Sequence, residues 1–107
     1  MNPWRAAVLA LCWPAVAGAA EHRVVIDGMA FTPRVVRARS GDTIVWTNKD
    51  LFVHNVTADK GKMRSGELQS GQAWRYTVRA GPPIDYRCTL HPTMTARIEV
   101  AASPKGN

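Results

Sequence analysis

The stretch that decides the fold is Ile84-Asp85-Tyr86-Arg87-Cys88-Thr89-Leu90-His91-Pro92-Thr93-Met94-Thr95-Ala96-Arg97-Ile98-Glu99-Val100. Both of its arms alternate. Ile84, Tyr86 and Cys88 share one side of the first arm. Ala96, Ile98 and Val100 share one side of the second, with Arg97 and Glu99 on the other. Alternation with period two marks half-buried strands. Between the arms, Cys88 to Met94 packs a thiol, an imidazole and a thioether into seven residues.

Working outward, the same period recurs. Trp74, Tyr76 and Val78 oppose Arg75, Thr77 and Arg79. Arg23 to Ile26, Arg34 to Arg39, Thr43 to Asn48 and His54 to Ala58 are further expected strands. Ser40-Gly41-Asp42, Asn48-Lys49-Asp50, Ser70-Gly71 and Ala80-Gly81-Pro82-Pro83 supply turn chemistry between them. No helical stripe and no internal repeat is visible. Regularly spaced strands without helices predict an all-β antiparallel sandwich or barrel. Trp46, Trp74, Tyr76, Phe31, Ile44 and Ile98 are the expected core.

The 107 residues leave room for one domain, and the first of them read as a leader. Arg5 supplies a positive start, Ala6 to Ala17 is an apolar run broken only by Pro14, and Ala17-Gly18-Ala19 has the small residues of a cleavage site. That pattern is a secretory signal peptide, too short for a mature membrane span. Residues 1–19 are the expected leader, with cleavage after Ala19 or Ala20; residues 20–102 form the domain, and 103–107 a flexible tail. Leu9-Ala10-Leu11-Cys12 departs from a lipoprotein signal, because Leu11 is bulky where a small residue is needed.

Export changes the cysteine count. Cys12 leaves with the leader, so Cys88 is the lone thiol of the mature chain, unable to form an internal disulfide and exposed to an oxidising compartment. Metal ligation protects such a group; burial as an inert core residue is the plainer alternative. With Arg5 removed, 13 basic and 8 acidic side chains remain. That excess favours acidic partners and faster encounter with them. It does not point to nucleic acid, since the Lys60, Lys62 and Arg64 cluster lacks interleaved aromatics and is better read as a solvated loop.

Cys88, His91 and Met94, joined by His54 from an upstream segment, make up the donor set of a trigonal copper site with a weak axial sulfur. Thiolate and thioether favour Cu(I), while imidazole accommodates Cu(II). A strand ending at Cys88 and a tight turn can swing His91 and Met94 around one point. Singly, each residue has a bland explanation: His54 as a polar strand end, Met94 as core filler, Cys88 as structural. Together they specify outer-sphere electron transfer at one copper ion rather than catalysis.

At these residues the chain resembles the small cupredoxins, and most closely the amicyanins. Gly41-Asp42-Thr43-Ile44-Val45-Trp46-Thr47-Asn48, His54-Asn55-Val56 and Asp85-Tyr86-Arg87-Cys88 carry the resemblance, with two residues between Cys88 and His91 and two before Met94. It runs from about Val24 to Val100. The family implies an eight-stranded Greek-key sandwich, one type 1 copper and electron shuttling in the periplasm. It also implies that the Asn55 N–H donates to the Cys88 sulfur, and that the Asn55 side chain ties the two ligand loops. Leu90 stands where these proteins usually carry proline; its N–H is an expected second donor to the sulfur. Arg87, by alternation, should point outward.

A redox partner, acidic at its contact surface, is expected to dock near His91, over Leu90, Pro92 and Phe52. The protein is expected to be monomeric and not inserted in a membrane. Copper storage or delivery through the same ligands is the alternative function, and a metal-free immunoglobulin-like module a weaker one. His22 is expected to be an idle terminal residue, though cleavage after Ala19 would place it third from a free amine, where it could chelate Cu(II). Met29 and Met63 are assigned to packing or loop.

Overall fold

A computed structural model describes residues 18–102; the expected tail and most of the expected leader lie outside that range. Its strands are β1 (Glu21–Asp27), β2 (Ala30–Thr32), β3 (Val35–Arg39), β4 (Thr43–Asn48), β5 (Thr57–Ala58), β6 (Ala73–Thr77), β7 (Ile84–Cys88) and β8 (His91–Ala101). They form two four-stranded sheets, β2-β1-β4-β6 and β3-β8-β7-β5, packed as a sandwich. The all-β expectation holds. The antiparallel one needs correction: β1 runs parallel to β4, and β3 parallel to β8. Both pairs join strands distant in sequence. Side-chain alternation is the same in either orientation, so the sequence pattern could not distinguish them.

Two strands depart from expectation. β2 follows a tight turn in which Gly28 and Met29 both have φ of 60°, as a two-residue hairpin of the primed type requires. The segment from His54 was expected as a strand, but only Thr57 and Ala58 enter the sheet; His54 makes an isolated bridge to Leu68.

Inward-facing residues of both sheets meet in one core. Trp46, Ile44, Ile98 and Phe31 are buried as expected, whereas Trp74 and Tyr76 are half-buried at the β6 edge and pack against it. Tyr86 is the other large buried ring. It meets Phe31 edge-on at 4.9 Å between centroids and Trp46 at 5.6 Å. Its hydroxyl accepts the Trp46 Nε1–H at 3.1 Å, and burial pushes its pKa up to about 12. Tyr86→Phe would strand the indole donor in the core, a loss of about 1–3 kcal/mol that the urea midpoint should report.

Asp42, at the turn into β4, accepts the Arg39 N–H at 2.9 Å and the Ala20 N–H at 2.9 Å, and lies 2.8 Å from His22 Nε2. Those bonds, led by the Arg39 N–H, lower its pKa from 3.8 to about 2. A depressed carboxyl stabilises the fold above its unfolded value and ceases to as pH falls through its folded one. The stability gap between the native chain and Asp42→Asn should therefore be full above pH 3.8 and close near pH 2. Unfolding titrations across the acid range check this.

Candidate metal centre

The two-residue connection Thr89-Leu90 joins β7 to β8, so His91 is the first residue of a strand and not part of the turn. Pairing then slips. Arg87 lies opposite Thr95, yet Cys88 lies opposite His91. One step along β7 thus spans four along β8, and Pro92, Thr93 and Met94 are taken up in a bulge. Pro92 has no N–H to pair, which suits it to this excursion. The slip carries His91 back beside Cys88 and returns Met94 to the core side, where it is buried.

His54 arrives from the loop after β4. Its backbone exchanges hydrogen bonds with Leu68 at 3.1 and 2.7 Å. Asn48, fully buried, braces the loop by donating from Nδ2 to the carbonyls of Phe52 and Leu68 at 2.8 and 2.9 Å. His54 Nε2 lies 2.9 Å from Asp50 Oδ2, so the proton on that nitrogen leaves Nδ1 free as a donor of electrons. The same Asp50 oxygen accepts the Met29 N–H at 3.0 Å. These bonds, the Met29 N–H first, hold the Asp50 carboxyl below its usual range.

The result is a compact donor cluster. Cys88 Sγ lies 3.7 Å from His54 Nδ1 and 3.7 Å from His91 Nδ1. All three donors lie within 4.8 Å of one another. Cys88 and His54 are fully buried, and His91 is half-buried. Bonds of about 2.0 Å to nitrogen and 2.3 Å to sulfur, as zinc makes them, separate donors by about 3.7 Å at an angle near 120°. The two sulfur–nitrogen spacings therefore suit a trigonal ion.

The surroundings of the sulfur are also fixed. Cys88 Sγ accepts the Asn55 N–H at 3.4 Å. The Asn55 side chain donates to Thr89 Oγ1 at 2.8 Å and accepts the Thr89 N–H at 3.0 Å, tying the loop after β4 to the β7–β8 connection. The expected second donor is not seen: no hydrogen bond joins the Leu90 N–H to this sulfur. Leu90 instead presents its side chain to solvent. Arg87 faces away, as alternation required, in a two-pronged pair with Asp59 at 2.8 and 3.0 Å.

Sequence reasoning missed Asp50 and Thr89. Asp50 stood out only as a turn residue, although a carboxylate four positions before a ligand-type histidine was a signal available to find it. Thr89 offered none. His22, expected to be idle, is engaged with Asp42. Glu21 and His22 are paired into β1 against Thr43 and Ile44, which opposes wrapping of that backbone around Cu(II).

A β-sandwich with two imidazoles and a thiol converging at one end defines a cupredoxin-type copper protein. The profile of the copper binding proteins, plastocyanin/azurin family, matches residues 19–101, and the chain belongs to that family. Amicyanin of Paracoccus versutus is 30% identical over 82 residues, covering 72% of this chain and 62% of that protein; the chain thus spans under two-thirds of this relative. Amicyanin-alpha of Methylorubrum extorquens is 32% identical over 89 residues, 78% of this chain and 75% of the relative. A solved amicyanin variant in its Cu(I) form superposes with a TM-score of 0.71 at 28% identity, over 81% of this chain and 87% of that one. Copper, as a single type 1 ion, is the cofactor that donor set and family agree upon.

Removing the carboxylate behind His54 tests how far it orients the imidazole. Asp50→Ala should weaken copper binding about 10- to 100-fold, the usual penalty for losing a group that holds a ligand histidine. A competition titration against a chelator of known affinity measures it.

Proposed function

We propose that this protein is a small periplasmic electron carrier, not an enzyme, holding one copper through His54 Nδ1, Cys88 Sγ, His91 Nδ1 and the Met94 thioether. The observation that carries this is the pair of 3.7 Å separations between a buried thiol and two imidazole nitrogens at one end of the sandwich. Bound there, copper would supply a one-electron Cu(I)/Cu(II) couple.

The chain's own residues supply the rest. Asp50 and Asn55 fix a ligand and the sulfur, so little rearrangement accompanies a change of charge. The Asn55 N–H withdraws density from the thiolate and favours the reduced state. Full burial of Cys88 and His54 supports retention of the ion, and so shuttling over copper storage or delivery.

His91 is the half-buried ligand, and its ring meets Phe52 at 6.5 Å. Leu51, Phe52 and Leu90 are exposed, at 89%, 58% and 48%. This apolar surface supports docking of a redox partner with little desolvation of charge, and the chain's net positive charge supports a partner acidic at the contact. The carrier is proposed to work as a monomer.

Loading the exported chain with Cu(II) should produce an intense thiolate-to-copper band in the visible. Cys88→Ser should abolish it; a band of equal strength in that variant rejects the ligand set.

A further inference from the structure

The opposite pole of the sandwich holds a second organised cluster with no part in the copper site. β4 (Thr43–Asn48) begins beside Asp42 and ends at Asn48 by the copper site, so its length separates the two. Asp42 is only 6% exposed. Its Oδ2 accepts the Arg39 N–H and faces His22 Nε2, and its Oδ1 accepts the backbone N–H of Ala20 at 2.9 Å. Ala20 then closes a ring, since its carbonyl accepts the Thr43 N–H at 2.9 Å. Both backbone groups of one residue are thus spent on Asp42 and its neighbour.

That residue adjoins both expected cleavage positions. Hydrolysis of the Ala19–Ala20 amide by a signal peptidase and water leaves a carboxylate on Ala19 and an ammonium on Ala20. The new cation would form where a buried carboxylate already accepts that nitrogen. Hydrolysis one bond later removes Ala20, leaving Asp42 Oδ1 and the Thr43 N–H without these partners. We propose that the exported chain begins at Ala20 and that its α-ammonium pairs with Asp42, pinning the start of β1 to the turn between β3 and β4. This rests on the export reading but is independent of copper.

Among the described residues the charged neighbours are few. His22 comes from β1 and Asp42 from the turn, while Arg37 and Arg39 of β3 line the same cleft. Arg37 is engaged by Glu99 at 3.0 Å, and Glu21, next in the chain, is held by Arg23 and Arg75 at 2.9 and 2.7 Å. An α-amine titrates near 8 in an unfolded chain, and an adjacent carboxylate raises that value in the fold. Its contribution is full below about pH 8 and fades as pH rises through the folded value.

The test has two arms. Intact-mass measurement of the chain recovered from the periplasm should give residues 20–107. A mass for 21–107 overturns the proposal, and an unprocessed chain overturns the export reading beneath it. Chains beginning at Ala20, at Glu21, and at an Nα-acetylated Ala20 are then melted from pH 6 to 10. The free Ala20 form should melt about 4–8 °C above the Glu21 form at pH 7, a shift expected for one new interaction in a domain this small. Its lead over the acetylated form, which keeps the hydrogen bond and lacks the charge, should shrink above pH 8 and disappear in Asp42→Asn. Equal melting of free and acetylated forms at pH 7 overturns the ion pair.

Discussion

Everything at the copper pole depends on one residue, Asn55, gripping two segments at once. Its N–H reaches the Cys88 sulfur, and its side-chain amide exchanges two hydrogen bonds with Thr89. The loop carrying His54 and the hairpin carrying Cys88 and His91 belong to different parts of the chain. Pairing of Thr57 with Arg87 brings them side by side, and this grip closes the remaining distance at the sulfur. Once it is made, the imidazole of the first segment and the thiol of the second lie close enough to share an ion. Buried polar groups are tolerable only when satisfied, and no described buried side-chain nitrogen or oxygen lacks a partner.

Support for the site extends well beyond its ligands. Asp50 joins the β1–β2 turn, through Met29, to the far edge of the His54 ring. Asn48 joins the end of β4 to the Leu68 segment that holds the His54 backbone. Asn48 ends the strand that Trp46 anchors in the core, and Asp50 follows two residues later. The core therefore sets the position of the His54 imidazole through only a few residues, with little slack to accumulate. That limits how far the imidazole can shift relative to the Cys88 sulfur.

Much of this was legible in the sequence, for definable reasons. Thr43 to Asn48 and Ile84 to Cys88 were read with their true bounds because turn residues flank them, Ser40-Gly41-Asp42 and Asn48-Lys49-Asp50 around the first and Gly81-Pro82-Pro83 before the second. The closeness of Cys88 and His91 was legible because cysteine and histidine at such close spacing have few other reasons to coincide. Strand direction was not, because alternation carries no sign. β2 was missed because three residues are too few for a period, and its turn relies on a left-handed Met29. The roles of Asp50 and Thr89 exist only in three dimensions. The Leu90 N–H failed as a donor because having an N–H does not determine where it points.

The slip in pairing between β7 and β8 has an architectural implication. Pro92, Thr93 and Met94 hang outside the ladder, with regular pairing resuming at Thr95. The number of residues in that excursion is consequently decoupled from the register of the sandwich behind it. Lengthening or rewriting it would reposition the Met94 side chain and reshape the rim around His91 while every strand kept its neighbours. The scaffold is in this sense a socket with an interchangeable lip, and variation among proteins of this build can gather there without refolding anything else.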